Sequence, residues 1–260
     1  MKKKIACIQL DIEFGNPKAN YEKVESWLQK AVKQHCDIAV LPELWTTGYD
    51  LNHLSTIADD HAKTSIAFLS KFAKQYGIDL IGGSVANKKN EQFFNTMLII
   101  NRNGEMIKQY SKLHLFKLMD EHLYLSSGNN DGVFQLNDET FAGVICYDIR
   151  FPEWIRKQAL QGAKALFVSA EWPHARLDHW RTLLLARAIE NQCFIIACNR
   201  AGRDPNNLFA GHSMIIDPWG KVLAEGTDKE ELVTAEIDLS VVTDIRNTIP
   251  VFSDRLPEFY

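Results

Sequence analysis

The chain has 260 residues, 46% hydrophobic and 24% charged, with a formal net charge of −4. A chain of this length can bury a sizeable core without staples, and its acidic balance argues against nucleic acid or anionic lipid as a partner, since both require a basic face. The five cysteines (Cys7, Cys36, Cys146, Cys193, Cys198) form no CxxC pair, which argues against a disulfide framework or a zinc site and for a reducing, cytoplasmic setting.

The basic start at residues 1–4 is followed by no apolar segment of signal-peptide type. No apolar run approaches the roughly 20 residues of a membrane span. Residues 5–10 read as a first strand. In 21–35, Val24, Trp27, Leu28, Ala31 and Val32 share one helical face. A strand at 38–41 follows, then a helix at 65–76 and strands at 80–83 and 97–100, with Asn103-Gly104 bending a hairpin. The second half starts with a strand at 143–146, a helix at 153–161 and a strand at 165–169. The helix at 177–191 repeats Leu177, Trp180, Leu184 and Ala188 at helical spacing. Strands at 194–198 and 214–216 precede the turn Asp217-Pro218-Trp219-Gly220. Between these two strands, the polar loop 202–208 is placed to border a site. The tail from 248 to 260 is too apolar to hang free and is expected to pack on a neighbouring element or a partner subunit.

The two halves resemble each other. IACIQLDI at 5–12 aligns with AGVICYDI at 142–149, CDIAVLPELW at 36–45 with AKALFVSAEW at 163–172, and LIINRNGE at 98–105 with MIIDPWGK at 214–221. This predicts one domain over 1–260, each half giving a sheet covered by helices, with the two sheets packed face to face.

Three side chains sit just past probable strands, where α/β proteins build their sites. Cys146 ends a strand and precedes a helix near Pro152, so a sharp turn would expose its sulfur beside unpaired backbone N–H groups. The other four cysteines lie in or beside apolar runs, as core cysteines do. Glu43 follows Ile38-Ala39-Val40-Leu41-Pro42. A carboxylate there is partly desolvated, which raises its pKa and suits a base; helix capping or an ion pair is the plainer reading. Lys112 is framed by Tyr110, Leu113, Leu115 and Phe116, and alone it would read as a snorkelling surface lysine. A Cys–His pair using His114, His122, His174, His179 or His212 is a rival arrangement, although none of these histidines has comparable strand-end placement. His174 and His179, five apart, do not align on one helical face as metal ligands.

Taken together, the motifs Leu41-Pro42-Glu43, Tyr110-Ser111-Lys112-Leu113-His114-Leu115-Phe116 and Cys146-Tyr147-Asp148-Ile149-Arg150-Phe151-Pro152-Glu153 resemble those of the nitrilase (carbon–nitrogen hydrolase) superfamily. The likeness continues through AIENQ at 188–192, Gly211-His212-Ser213 and 217–220. It implies a four-layer α-β-β-α sandwich and a Glu43-Lys112-Cys146 set. It also implies a second glutamate, for which Glu121 fits the slot with Asp120 adjacent. Helices flanking Cys146 would pair two subunits as a homodimer. The chemistry implied is hydrolysis of a small amide by water, with Tyr147 contributing its N–H to an oxyanion and no metal or organic cofactor. Cys146-Tyr147-Asp148 departs from the Cys-Trp-Glu of true nitrilases, and the chain lacks the appended domains of amide-transferring members.

AEWPHAR at 170–176 and IPVF at 249–252 look like the ω-amidase branch, which deamidates 2-oxo dicarboxylic acid monoamides such as 2-oxoglutaramate and 2-oxosuccinamate. The remote carboxylate of such a substrate calls for a guanidinium. Arg176 is the first candidate and Arg150 the second, the latter equally readable as an ion-pair partner of Asp148 or Glu153. Trp172 and Tyr49 are candidate pocket walls. An N-carbamoyl amine hydrolase or a short aliphatic amidase would use the same set. A non-catalytic scaffold should have lost one of the three residues, and a nucleotide-binding protein should show a glycine-rich phosphate motif that this chain lacks.

Overall fold

The computed structural model describes residues 2–259. The elements of the first half are β1 (Lys2–Gln9), α1 (Pro17–Lys33), β2 (Ile38–Val40), α2 (Leu54–Ile57), β3 (Asp59–Asp60), α3 (Lys63–Tyr76), β4 (Asp79–Lys89), β5 (Gln92–Ile100), β6 (Met106–Ser111) and α4 (Glu121–Tyr124). Then come β7 (Val133–Leu136), β8 (Glu139–Ile145), α5 (Pro152–Leu160), β9 (Ala165–Ala170), α6 (Leu177–Asn191), β10 (Phe194–Asn199), β11 (Met214–Ile216), β12 (Val222–Glu225), β13 (Glu231–Asp238) and α7 (Ser240–Thr248).

Helix α1 starts where the Asn16 side chain accepts from the Ala19 N–H, with Pro17 in the first turn. It buries Val24, Leu28 and Ala31 on one face. Helix α3 ends at Gly77, whose left-handed φ of 64° a side chain would resist.

The strands form two sheets. One runs β13-β1-β2-β4-β5-β6, with β3 added on β4, and the other runs β12-β11-β10-β9-β8-β7. The parallel pairs β1/β2 and β2/β4 correspond to β8/β9 and β9/β10, and the antiparallel neighbours correspond likewise. The internal likeness read from the sequence is therefore a likeness of topology. The two expected hairpins close with β6 and β12 as their second strands, and the structure adds α2, β3, α4, β7, β13 and α7 to the elements expected.

Period-two alternation sorts the layers. Ile5, Cys7, Ile38, Val40, Met97 and Ile99 join a core with Val144, Phe167, Val168 and Ile196 of the other sheet. Their neighbours Ala6, Ile8, Ala39, Leu41, Leu98 and Ile100 face outward into a second core with Val24 and Leu28 of α1 and Leu69 and Phe72 of α3. On the far side, Ile155 of α5 and Trp180 and Leu184 of α6 cover the second sheet. The result is the expected α-β-β-α sandwich. Its sheets are also tied directly, the Ser169 hydroxyl donating to the Leu41 carbonyl at 2.8 Å.

The tail packs on its own chain: the Arg156 and Arg246 guanidiniums lie over Phe252, and the Gln192 amide donates to the Ile249 carbonyl. Among the described residues, no helix is long and apolar enough to cross a membrane.

Candidate active site

Cys146 is the first residue after β8 and opens a 3-10 turn over Cys146–Arg150. Its φ of 45° is left-handed, a conformation that costs a non-glycine residue about 1–3 kcal/mol and is typically found at functional turns. Asp148 secures the turn. One carboxylate oxygen accepts from the Ile145 N–H at 3.0 Å and the Tyr110 hydroxyl at 2.7 Å. The other accepts from the backbone N–H of His114 at 3.1 Å and lies 2.8 Å from His114 Nδ1. Tyr110 and His114 flank Lys112, so this one buried carboxylate joins the lysine segment to the cysteine turn.

Glu43 lies beyond β2, on a loop shaped by an irregularity in β4 between Ile81 and Ser84. Ser84 donates its N–H to the Pro42 carbonyl and accepts from the Trp45 N–H, while its hydroxyl accepts from the Leu44 N–H. Gly83, at a φ of +59°, is required here because a Cβ would come within 2.2 Å of the Pro42 oxygen. Lys112 follows β6, with its N–H on the Asn95 carbonyl and its carbonyl receiving the Gly128 N–H.

These segments bring the predicted residues together in a fully buried cluster. Lys112 Nζ lies 2.8 Å from Glu43 Oε1 and 2.5 Å from Glu121 Oε1, and all three side chains have no solvent exposure. Glu43 Oε1 also accepts from Asn95 Nδ2 at 2.8 Å, and Glu43 Oε2 accepts from the Glu171 backbone N–H at 2.9 Å. The Glu43 carboxylate lies near enough to Cys146 to act electrostatically on its thiol. Glu121 Oε2 accepts from the Phe116 N–H at 2.6 Å. Asp120 is exposed and adopts a left-handed φ of 56°, so Glu121 is the acid that meets Lys112. Tyr49 is not among the residues lining the cavity. It lies deeper, its hydroxyl 2.5 Å from Glu121 Oε1 and 3.1 Å from Glu43 Oε1.

The electrostatics follow from burial and sign. Burial pushes the Cys146 thiol well above its ordinary range, and the Glu43 carboxylate adds to this while Lys112 opposes it. The sulfur is therefore a thiol at neutral pH, subject to the field of a nearby carboxylate. Burial alone would depress Lys112, but Glu121 and Glu43 together hold it firmly cationic. Burial likewise raises Glu121, against the pull of Lys112.

A cavity of about 250 Å³ opens over this cluster, lined by Phe116, Met119, Cys146, Tyr147, Arg150, Glu171, Trp172, Pro173 and Arg176. Of the sequence-selected residues, Tyr147, Arg150, Trp172 and Arg176 thus share one wall with the sulfur. The ion pairs contemplated for Arg150 do not form. Its guanidinium stacks on Trp172 at 4.6 Å, and its Nη2 lies 3.3 Å from His179 Nδ1. Arg176 lies over Phe116 at 5.6 Å, and the Trp172 indole donates to the Arg176 carbonyl. Neither arginine has a carboxylate partner among the described residues. The loop at 202–208 does not line the cavity; its Leu208 carbonyl accepts from the His174 N–H, one residue beyond the lining residue Pro173. None of the rival histidines lines the cavity; His114 pairs with Asp148, His179 with Arg150 and His212 with Glu225.

Sequence reasoning did not single out Asn95, Asp148 as a clamp, or Glu171. Asn95 stood in the apolar run Phe93-Phe94-Asn95-Thr96-Met97, and a polar residue inside a buried strand is the signal that could have found it.

The carbon–nitrogen hydrolase family model matches residues 4–247, and the chain belongs to that family. It is 55% identical over 260 residues, covering both chains completely, to a 2-oxoglutaramate amidase of Bacillus subtilis (strain 168). To an ω-amidase of Saccharomyces cerevisiae it is 30% identical over 276 aligned residues, covering all of this chain and 95% of that one. A solved structure from Xanthomonas campestris, a CN-hydrolase superfamily protein with an arsenic adduct in its active site, superposes with a TM-score of 0.92. It is 30% identical, and the match covers 98% of each chain.

Proposed function

We propose that this protein is an ω-amidase that releases ammonia from 2-oxoglutaramate or a similar 2-oxo dicarboxylic acid monoamide, with Cys146 as nucleophile. The observation that carries the reading is the cavity itself: the thiol next to the buried Glu43–Lys112 pair shares its wall with two guanidiniums that have no carboxylate partner among the described residues. The relative named for 2-oxoglutaramate supports the same substrate.

Because burial keeps Cys146 protonated, attack requires a base. Glu43 takes the thiol proton as the sulfur adds to the amide carbonyl. The oxyanion is held by the Lys112 ammonium and the Tyr147 backbone N–H, and a donor of this kind is worth about 3–4 kcal/mol. Glu43 returns the proton to the nitrogen, the C–N bond breaks and ammonia leaves. Glu43 then takes a proton from water, whose oxygen attacks the thioester, and the acid departs as the thiol re-forms. Glu121 and Tyr49 orient Lys112 and Glu43. Arg176 or Arg150 receives the remote carboxylate, with Trp172 as a wall. The chain is a single domain working in the cytoplasm, and two copies pair through α5 and α6.

The test is ammonia release from 2-oxoglutaramate, glutamine, an aliphatic amide, an N-carbamoyl amine and a nitrile. Fast turnover confined to 2-oxoglutaramate is expected. Silence on that compound with turnover of another would overturn the substrate reading.

A further inference from the structure

The carboxylate of Glu171 has no part in the steps above, yet it lines the same cavity as Cys146. It is fully buried, and Oε2 is fixed by Arg200 Nη1 at 2.6 Å. Arg200 is itself immobilised: its Nη2 donates to the carbonyls of Ile12 and Arg203, and its guanidinium lies 4.2 Å from the Phe209 ring. Glu171 Oε1 has no hydrogen-bond partner. It is the one buried side-chain oxygen or nitrogen in that state among the residues lining the cavity. A buried acceptor left unpaired costs about 1–3 kcal/mol, and a native site that keeps one calls for an explanation.

The chemistry of the substrate supplies one. A primary carboxamide brings two N–H donors, and only its oxygen is served by Lys112 and Tyr147. The other carboxylates near the sulfur are already engaged. Glu43 Oε1 accepts from Lys112, Asn95 and Tyr49, and Glu43 Oε2 accepts from the Glu171 N–H. Glu121 is held by Lys112, Tyr49 and the Phe116 N–H. That same Glu171 N–H bond fixes the free acceptor relative to the base. We infer that Glu171 is a specificity-determining residue, its Oε1 accepting an N–H of the scissile carboxamide and so selecting substrates that end in an unsubstituted –C(O)NH2. The inference rests on the amide-hydrolase reading above but not on the identity of the acyl group.

The test compares Glu171→Gln and Glu171→Asp with the parent on two substrates of one acyl group. One is the primary amide that the parent turns over fastest, and the other is the methyl ester, which has no N–H. In both variants kcat/KM for the amide should fall about ten- to a hundredfold, while the ester changes less than about threefold. Parallel loss on amide and ester, complete inactivity included, would make Glu171 a structural residue and overturn the inference, as would an unaltered amide rate. A parent enzyme silent on 2-oxoglutaramate but active on another primary amide sinks only the substrate reading, and the comparison is then made on that amide.

Discussion

A thiol pressed between a carboxylate and an ammonium in a dry site is set by the balance of the two. Here burial and Glu43 outweigh Lys112, so removing the carboxylate separates two quantities that usually move together. Glu43→Gln takes away the base and also one of the charges that keeps Cys146 protonated. Turnover should fall by about 10²–10⁴-fold, while alkylation of Cys146 by iodoacetamide at pH 7 should be no slower than in the parent. A Glu43→Gln enzyme retaining about a tenth of the parent kcat would remove Glu43 as the base. Glu171 gives a stability effect at the same scale. In the free enzyme burial lifts it from 4.5 to about 8, against the Arg200 guanidinium; an N–H donated by a bound amide would favour the ionised form. Between those values the folded protein holds a proton that the unfolded chain releases. Its contribution is therefore full below about pH 4.5 and is lost as pH rises through about 8. The Tm should decline over that window, and the decline should be shallower in Glu171→Gln; equal slopes would show that other groups carry the pH dependence.

At the level of elements, Asp148 does what no single strand can, joining the segment after β6 to the turn after β8. Asp148→Ala strips acceptors from Tyr110, His114 and the Ile145 N–H at once. Unfolding in urea should show a loss of about 3 kcal/mol. The variant that remains folded should lose kcat more than KM, since Cys146 and Lys112 are no longer held to each other. The sequence made the flanks of this arrangement legible, because Glu43 and Cys146 each stand at the end of an apolar segment and all three residues sit in recognisable motifs. The clamp was not legible, because Asp148 read equally well as an ion-pair partner of Arg150. Strands β7 and β13 were missed for a related reason, and β6 and β12 were legible only as the far arms of the two hairpins. Residues of β12 and most of β13 are only half-buried, so their apolar alternation is weak, and β13 is drawn beside β1 by pairing across more than 220 residues of chain. Elements with both faces covered, such as β9 and β10, are wholly buried and were read nearly to their ends.

In the whole molecule, two halves of one topology have diverged in chemistry. The alignment of 5–12 with 142–149 sets Gln9 opposite Cys146. Gln9 is fully buried and engaged: its amide nitrogen donates to the carbonyls of Thr227 and Lys229, and its oxygen accepts from the Ser213 N–H. One half thus keeps a reactive turn, while the other seals the corresponding position with hydrogen bonds. The outer faces also differ. Over the first sheet, α1 and α3 leave few large apolar side chains in solvent. On the second, Leu160 of α5 and Ile189 of α6 are 39% and 54% exposed, and Trp219 on the β11–β12 turn is 52% exposed. Gly220 follows Trp219 so closely against α6 that a Cβ there would come within 2.7 Å of Ile189, so Ile189 and that turn share one surface. Apolar side chains gathered in this way commonly mark a contact between proteins, and the face coincides with the helices proposed to pair two subunits. In an isologous interface each substitution acts twice. Ile189→Glu should therefore sediment as a monomer where the parent sediments at twice the chain mass, with a lower Tm that no longer depends on protein concentration. A variant that still sediments with the parent would move the interface away from α6.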